Sequence, residues 1–177
     1  MKWAPISSIP DIKHIQMSLS SDLRGYFYEL FRQDSLKGIG IDGQFVQDNI
    51  SFSKKNVIRG LHAQRSIPQG KFVSAINGQI LDIAVDIRIS SPTFKRWVAI
   101  PIYGTNCVYI PPGFLHGFAV LSDSATVFYK CTSFYTNQDD QIRVRWDDPD
   151  LGIHWPIKDP ILSNEDKQAP FLKEIIL

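Results

Sequence analysis

The stretch that decides the fold is KFVSAINGQILDIAVDI, residues 71–87. From residue 79 onward apolar side chains alternate with polar or small ones, and a period of two predicts a strand with one buried face. Asn77-Gly78 lies between the two halves, and this pair favours the two-residue type I′ turn of a β-hairpin. We therefore predict an antiparallel hairpin made of strands 71–76 and 79–87.

Further short strands are predicted on both sides of this hairpin. Turn signals such as Ser90-Ser91-Pro92 separate them, and helical periods are rare. Short helices are predicted only at 34–37 and from Ser163, and the segment 146–160 is expected to be an ordered surface wrap. The pattern predicts an all-β sandwich or barrel that forms a single domain over residues 1–177. The additional strands are predicted at 24–31, 45–53, 97–102, 108–110, 116–121 and 125–132.

The composition is typical of a globular protein and gives little sign of a large charged partner. The chain has 177 residues, of which 44% are hydrophobic and 21% are charged, and its formal net charge is +1. Such a balance gives no support for a protein that coats nucleic acid or a membrane surface. We expect any phosphate group to be recognised locally, by a few arginines.

Cysteine content and the first residues favour a cytoplasmic location. Cys107 and Cys131 are too few for a disulfide framework, lack the CxxC spacing and are expected to be small buried residues. Residues 1–5 lead into no apolar run of signal-peptide length, and no segment approaches the length that spans a bilayer. We therefore expect a cytoplasmic protein whose partners include neither nucleic acid nor a membrane.

A group of chemically useful side chains lies just before the predicted hairpin. Residues 56–64, NVIRGLHAQ, contain Arg59, His62 and Gln64, and Lys71 follows shortly after them. A guanidinium, an imidazole, an amide and an ammonium on predicted strands can point into one cavity. Histidine has an ordinary pKa of about 6.5, which suits a base that works near neutral pH. The group therefore predicts a site that handles a polar ligand.

Two segments indicate a particular kind of barrel. The run that ends in Pro112-Gly113-Phe114-Leu115-His116 fits the PxGxxH half of the cupin pattern, and Arg59-Gly60-Leu61-His62 lies where the first half is expected. A metal-binding cupin has a His-x-His pair there, whereas Gln64 occupies the second position in this chain. The remaining histidines, His14 and His154, lie outside both motifs, so these positions cannot supply three histidine ligands. We predict a cupin-type jelly-roll barrel that uses neither a metal ion nor another cofactor.

Over nearly its whole length the chain resembles the dTDP-4-dehydrorhamnose 3,5-epimerase family of nucleotide-sugar epimerases. The resemblance implies epimerisation at C3, C5 or both of a nucleotide-linked 4-keto-6-deoxy sugar, with dTDP as the nucleotide. Such a reaction removes a proton beside a ketone, holds an enolate and returns a proton from the other side. The matching segments are DLRGYFYE (22–29), FVQDN (45–49), VIRGLH (57–62), QGK (69–71), DIAVDIR (82–88), SPTF (91–94), IPPGFLHGF (110–118), YKCT (129–132), DDPDLGI (147–153) and LSNED (162–166).

By this resemblance four residues perform the reaction. His62 is the base that removes the proton, and Asp166 orients the imidazole. Lys71 stabilises the enolate oxygen, and Tyr129 returns a proton from the opposite face. Each of Asp166, Lys71 and Tyr129 also has a structural alternative. These alternatives are a helix-start residue three positions after Ser163, a solvated strand lysine and an aromatic side chain of the barrel.

Substrate binding is implied for a second set of residues. Arg24 and Arg59 are implied as diphosphate contacts, because a guanidinium forms paired hydrogen bonds with phosphate, although exposed ion pairs are the alternative. Tyr135 is implied as the ring that stacks on thymine. His116 either hydrogen-bonds the sugar, positions Asp82 or is a structural histidine. The nucleotide region is also implied to include Phe27, Glu29, Gln47 and Asn49.

Departures from the family pattern leave the sugar and the number of inverted carbons open. Ala63 stands where an aromatic residue is usual, so we expect space or altered packing beside His62. Residues 105–109, 133–135 and 139–140 also differ. The alternatives are a mono-epimerase, a 3,4-ketoisomerase acting on a dTDP-, CDP- or GDP-linked sugar, a metal-using cupin and a non-catalytic sugar-nucleotide binder. The family is usually homodimeric, with N-terminal strands that complete the partner's sheet, so a homodimer is expected.

Overall fold

The computed structural model describes all residues, 1–177, and its fold is almost entirely β structure, which confirms the predicted class. Two short helices, α1 (Gln33–Lys37) and α2 (Asn164–Lys167), and one 3₁₀ turn (Leu172–Glu174) complete it. None of the helices has the length and apolar character needed to cross a membrane. The strands are β1 (Lys2–Ile6), β2 (Ile9–Gln16), β3 (Leu19–Asp22), β4 (Gly25–Tyr28), β5 (Gln47–Lys54), β6 (Ile58–Gln64), β7 (Lys71–Asn77), β8 (Gln79–Asp86), β9 (Trp97–Tyr103), β10 (Asn106–Ile110), β11 (Phe114–Val120), β12 (Ser124–Cys131) and β13 (Gln141–Arg143).

The strands form two larger antiparallel sheets and one small hairpin. The six-stranded sheet has the order β1-β2-β10-β7-β12-β5, the five-stranded sheet has the order β13-β6-β11-β8-β9, and β3 pairs only with β4. From β5 onward the chain passes from one sheet to the other at every connection except that between β8 and β9. This crossing pattern is that of the predicted jelly roll.

The predicted hairpin of strands 71–76 and 79–87 is wrong, although both strands exist. β7 belongs to the six-stranded sheet, whereas β8 belongs to the five-stranded sheet and pairs there with β9 and β11. The turn between them is tight, since Gly78 has φ +80° and a Cβ there would lie 2.1 Å from the carbonyl oxygen of Ser124. The Asn77-Gly78 turn therefore carries the chain across the barrel instead of back along one sheet.

The N-terminal third differs most from the predicted strands. β1 and β2 lie outside every predicted segment, because Ile9, Ile12 and Ile15 are buried at intervals of three and not of two. The aromatic segment 24–31 forms a strand only over Gly25–Tyr28, in the hairpin with β3. The other predicted strands and both predicted helices are confirmed, with ends that differ by a few residues.

Four apolar clusters hold the two sheets and their coverings together, the smallest formed by Ile58, Ala119 and Ile157. The largest contains 16 buried residues, among them Val73 and Phe118, and fills the space between the sheets. A second includes Leu151 and Leu172 of the C-terminal tail with residues of the five-stranded sheet, so the predicted surface wrap is confirmed. A third joins Leu36 of α1 to the outer face of the six-stranded sheet. Burial of this apolar surface is the main stabilising contribution to the fold.

The inner core ends before one mouth of the barrel. Val73 on β7 and Val127 on β12 belong to the core between the sheets. Two residues along the same faces, Lys71 and Tyr129 line a cavity instead. Because side chains two positions apart share a face, these strands present apolar groups inside and polar groups at the mouth. The fold thereby places a polar cavity at one end of the barrel.

Candidate active site

The cavity at the barrel mouth consists of two adjoining lobes that share His62, Lys71 and Tyr129. One lobe has a volume of about 230 Å³ and also contains Arg59 and His116. The other has a volume of about 360 Å³, and four of its ten lining residues have amide side chains. β6 presents His62 from the five-stranded sheet, whereas β7 and β12 present Lys71 and Tyr129 from the six-stranded sheet. The imidazole therefore lies on the wall opposite the ammonium and the phenol.

His62 and Asp166 form a close pair, although they are 104 positions apart in the sequence. The distance between His62 Nε2 and Asp166 Oδ1 is 2.5 Å. Asp166 is 4% exposed and lies in the first turn of α2, where Ser163 caps the helix by accepting a hydrogen bond from the Asp166 N–H. The helix-start geometry and the histidine contact are thus both present, so the two predicted uses of Asp166 do not exclude each other.

The environment of Asp166 keeps its carboxyl ionised. Burial raises the pKa of Asp166, but the hydrogen bond and charge of His62 and the N–H of Gly60 lower it, and the net pKa is below the ordinary value. An ionised carboxylate accepts the N–H of Nε2 and leaves Nδ1 of His62 as the unprotonated, basic nitrogen. The pair can therefore take up a proton at Nδ1 and stabilise the resulting imidazolium.

Close packing of β6 on β11 fixes the position of His62. Gly60 has φ +119°, and a Cβ there would lie 2.6 Å from the Cα of Gly117, which only glycine accommodates. His62 and His116 are direct cross-strand partners. Nε2 of His116 is 2.8 Å from Oδ2 of Asp82, so the predicted contact between these residues is present. Asp82 is fully buried, and its other carboxylate oxygen has no hydrogen-bond partner in the protein.

Lys71 and Tyr129 have opposite pKa shifts with the same physical cause. Burial lowers the pKa of the Lys71 ammonium, and the negative charge of Asp82 opposes this shift. Burial raises the pKa of Tyr129, which keeps the phenol protonated at neutral pH. An amine and a neutral phenol thus occupy the same wall of the cavity.

Five of the eight residues implied in substrate binding, His116 among them, line the lobes near these groups. Arg59 is at the rim of the smaller lobe, and its Nε donates to Oγ of Ser53 at 2.9 Å. Gln47, Asn49 and Tyr135 line the larger lobe. The ring of Tyr135 is half exposed, so one face is available for stacking.

Arg24, Phe27 and Glu29 do not reach either lobe of their own chain. Arg24 is in the turn between β3 and β4, where its guanidinium pairs with Asp22 at 2.5 Å. Phe27 is 74% exposed on β4, and Glu29 follows that strand and is also exposed. The hairpin forms its own surface groove, lined by residues 20–27 except Leu23. A single chain therefore does not bring these three predicted binding residues to His62.

The cavity also contains residues that the sequence did not single out for binding. Gln141 and Arg143 on β13 and Gln69 before β7 line the larger lobe, and Arg143 is the direct cross-strand partner of His62. A weak signal was available, because Gln141 and Arg143 alternate with the buried Ile142 and Val144. Three residues are too few for a period of two to identify a strand.

Ala63 does not lie beside the imidazole, so the expectation of extra space there is wrong. Its side chain is on the other face of β6, buried in the cluster that contains Ile142 and Leu172. Alternation along the strand separates Ala63 from His62 even though they are neighbours in sequence. The chain contains no group of three His, Cys, Asp or Glu side chains arranged to hold a metal ion.

Comparisons with known proteins agree on one family. The family model described as dTDP-4-dehydrorhamnose 3,5-epimerase matches residues 7–174. A relative of that name from Methanothermobacter thermautotrophicus is 44% identical over 165 residues, which cover 90% of this chain and 89% of the relative. A relative of that name from Neisseria gonorrhoeae is 43% identical over 163 residues, 90% of this chain. The chain spans about half, 49%, of the length of the Neisseria protein.

Solved structures show the same similarity. The dTDP-6-deoxy-D-glucose-3,5-epimerase from Legionella pneumophila, in complex with dTDP-4-keto-L-rhamnose, has a TM-score of 0.95 and 41% identity. The match covers 99% of this chain and 94% of that one. A 3'-monoepimerase from Streptomyces bikiniensis, in complex with dTDP-quinovose, has a TM-score of 0.87 and 37% identity, with 96% and 87% covered. Relatives with this fold therefore include both a 3,5-epimerase and a mono-epimerase.

Proposed function

Because the chain belongs to the dTDP-4-dehydrorhamnose 3,5-epimerase family, we propose that it epimerises a dTDP-linked 4-keto-6-deoxy sugar at C3 and C5. The observation that carries this proposal is the arrangement of the cavity. The His62–Asp166 pair occupies one wall, and Lys71 and Tyr129 occupy the wall opposite. Inversion of a carbon beside a ketone requires a base on one face of the sugar and an acid on the other.

In the proposed reaction His62 Nδ1 removes the proton from the carbon beside the keto group. The electron pair of the broken C–H bond moves into the ring to form an enolate, whose oxygen receives the negative charge. Asp166 stabilises the imidazolium formed, because it already holds Nε2 at 2.5 Å. Lys71 stabilises the enolate oxygen, and a positioned donor of this kind contributes about 3–4 kcal/mol in measured cases.

Tyr129 then completes the inversion. Its phenol donates a proton to the same carbon from the opposite face. The phenolate then recovers a proton from solvent, and the His62 imidazolium releases its proton to solvent, so both groups return to their starting states. The raised pKa of Tyr129 supports this role, because the phenol remains a neutral donor over the working pH range. A second cycle at the other carbon beside the ketone gives the double epimer. We propose this cycle for residues 1–177 acting as one catalytic domain in the cytoplasm, a compartment that the two free, buried cysteines favour.

Nucleotide binding is proposed for the groups that flank the reaction centre. Arg59 contacts the diphosphate, since its guanidinium lies at the rim of the smaller lobe. Tyr135 stacks on the base, and Gln47 and Asn49 line the same lobe. His116 hydrogen-bonds the sugar, with Asp82 holding the imidazole in place.

We propose a homodimer in which the β3–β4 hairpin of one subunit reaches the cavity of its partner. Arg24, Phe27 and Glu29 then contribute to the partner's nucleotide site. Support comes from their exposure on a hairpin that no other part of the chain covers, together with Leu23 and Tyr26, which are 108% and 69% exposed. Exposed aromatic groups on a protruding element are typical of an interface.

Deuterium exchange tests the reaction. In deuterium oxide, purified protein is mixed with dTDP-4-keto-6-deoxyglucose, and each sugar carbon is examined by NMR. Label at C3 and C5 is expected, because each inversion exchanges one carbon-bound proton. Label at one carbon would identify a mono-epimerase, as in the Streptomyces bikiniensis relative. Absence of label with bound dTDP would identify a non-catalytic binder. Conversion of only a CDP- or GDP-linked sugar would favour an enzyme for that nucleotide, and a 3,4-keto shift would favour a ketoisomerase. Stoichiometric iron or zinc would favour a metal-using cupin.

A further inference from the structure

The loop that carries Tyr135 is held through its backbone. Residues 133–136 follow β12 and contain no regular secondary structure, and the ring of Tyr135 is 48% exposed at the cavity mouth. A half-exposed ring on a connecting segment has many accessible orientations unless the backbone on both sides is fixed. We call residues 133–136 the tyrosine loop.

Gln64 holds the tyrosine loop on both sides of Tyr135. Its Nε2 donates to the carbonyl oxygen of Phe134 at 3.1 Å, and its Oε1 accepts the N–H of Thr136 at 3.1 Å. The second N–H of the same amide donates to the carbonyl oxygen of Ile67 at 2.7 Å. The side chain is 3% exposed, so water does not compete for these hydrogen bonds.

Two further glutamines, Gln47 on β5 and Gln69 just before β7, complete the attachment. Oε1 of Gln47 accepts the N–H of Tyr135 itself at 2.7 Å, and Nε2 of Gln69 donates to the carbonyl oxygen of Ser133 at 2.9 Å. Each residue of the tyrosine loop therefore gives one backbone group to a glutamine. Of the three glutamines, Gln64 is the most buried and the one that contacts the loop twice.

Only an amide of this length satisfies the contacts that Gln64 makes. Two carbonyl oxygens require two donors and one N–H requires an acceptor, which matches the inventory of a glutamine side chain. A glutamate has no donor when ionised and would place a charge in a buried position. A methionine has nearly the same shape but only a weak acceptor, so it would leave the carbonyl oxygen of Phe134 and the N–H of Thr136 without these partners, while the carbonyl oxygen of Ile67 would keep only the Ser133 hydroxyl at 3.2 Å.

We propose that Gln64 is a positioning residue for nucleotide binding, which fixes the backbone around Tyr135 and thereby sets the ring against the base. It lies two residues after His62 on the same strand. One short strand segment therefore holds both the reacting end and the nucleotide end of the ligand. This inference rests on the proposed function, because Tyr135 needs a bound base for its orientation to matter.

Binding of dTDP and steady-state kinetics of Gln64→Met test the proposal in the full-length protein. We expect the Kd for dTDP and the KM to rise about tenfold, because the ring loses its fixed orientation. The kcat is expected to stay close to the wild-type value, since the His62–Asp166 pair is untouched. In a Tyr135→Ala background the same substitution is expected to raise Kd little further, because the ring it positions is absent.

Two companion variants keep the test decisive. Gln69→Met removes one hydrogen bond from a less buried position and is expected to raise Kd by a smaller factor, so it replaces Gln64→Met if that variant does not fold. Gln33→Met removes a single glutamine contact, to the carbonyl oxygen of Gly43, and serves as a matched control with an unchanged Kd.

Each outcome has a separate meaning. An unchanged Kd for dTDP in Gln64→Met would overturn the role of Gln64. A full additional rise in Kd when Gln64→Met is combined with Tyr135→Ala would also overturn it. In both cases epimerase activity of the wild-type protein would leave the proposed function intact. A loss of kcat with unchanged Kd would likewise overturn the role of Gln64. Wild-type protein that neither binds dTDP nor exchanges protons would instead overturn the proposed function, and the inference with it.

Discussion

The folded chain disfavours a positive charge on Lys71. Burial lowers its pKa, so the unfolded chain binds a proton more readily than the folded chain. The resulting cost to stability is fully present below the folded pKa and fades as pH rises through the range between the folded and unfolded pKa values. The enolate oxygen that the proposed reaction generates gives this charge its use.

Lys71→Met is therefore expected to raise stability while it removes activity. We expect the free energy of unfolding at pH 7 to increase by about 1 kcal/mol, as is common when a strained functional group is removed. The gain should fade as pH rises through the unfolded lysine pKa of about 10.4, where both states become neutral. Urea unfolding measures the change in unfolding free energy. Lys71→Arg, which keeps the charge, is the control. A Lys71→Met variant that is less stable than the wild type would contradict the cost assigned to the ammonium.

The sequence predicted individual site residues only where they belong to a segment that matches the family. His62, Lys71 and Tyr129 come together in the cavity as the resemblance implies. Arg143 was missed because β13 has only three residues and its partner β6 is distant in sequence. The expectation for Ala63 was wrong because neighbouring side chains on a strand point to opposite faces.

The connection between β8 and β9 depends on a buried carboxylate. Asp86 is fully buried and accepts hydrogen bonds from the guanidinium of Arg88 and from the hydroxyls of Ser91 and Thr93, each of these at 2.6 Å. Burial raises the pKa of Asp86, but these donors hold it well below the usual range. Because the folded pKa is depressed, the stabilisation is present above the unfolded pKa of about 3.9 and is lost as pH falls through the folded value.

Thr93→Val removes one donor from this carboxylate with little change of shape. We expect the variant to lose about 1.5–3 kcal/mol of unfolding free energy, the usual range for a hydrogen bond to a charged group, and to unfold at a higher pH on acidification. Thermal unfolding at several pH values measures both effects. Ser90→Ala, at an exposed neighbouring position, is the matched control. Equal stability of Thr93→Val and wild type would contradict the role assigned to the cluster.

The positions of the strands were predicted better than the strands they pair with. A period of two shows that a strand has one buried face, and it found β8 correctly. It does not show which strand lies beside it, so Asn77-Gly78 suggested a hairpin where the chain crosses between sheets. β2 was not predicted as a strand because its buried isoleucines are three residues apart and not two. Pairing in a jelly roll depends on contacts far apart in sequence, and local patterns do not contain them.

At the scale of the whole molecule, the β3–β4 hairpin stands apart, because its strands pair only with each other and join neither larger sheet. Arg24 and Phe27 belong to segments that match the family, yet they lie outside both lobes of their own cavity. The resemblance implied these residues but not their place, and in the proposed homodimer they act in the partner's cavity, an arrangement that would leave no trace in the spacing along one chain. The proposed homodimer with reciprocal hairpins would bring them to a cavity.

Co-expression of two inactive variants tests this dimer. In Arg24→Ala the hairpin is defective, and in His62→Ala the cavity is defective. If the hairpin acts in the partner's cavity, a mixed dimer contains one site with both wild-type residues. Random assembly then restores about one quarter of wild-type activity. No recovery above the separate variants, or a monomer in sedimentation, would contradict the exchange of hairpins between subunits.

The role of His62 as the base is tested most directly by deuterium exchange in His62→Ala. With dTDP-4-keto-6-deoxyglucose in deuterium oxide, we expect exchange at C3 and C5 to fall by at least about 10²–10⁴-fold, the usual contribution of a positioned base. The Kd for dTDP should remain that of the wild type, because the nucleotide contacts are elsewhere in the cavity. Exchange at the wild-type rate in this variant would contradict the assignment of His62 as the group that removes the proton.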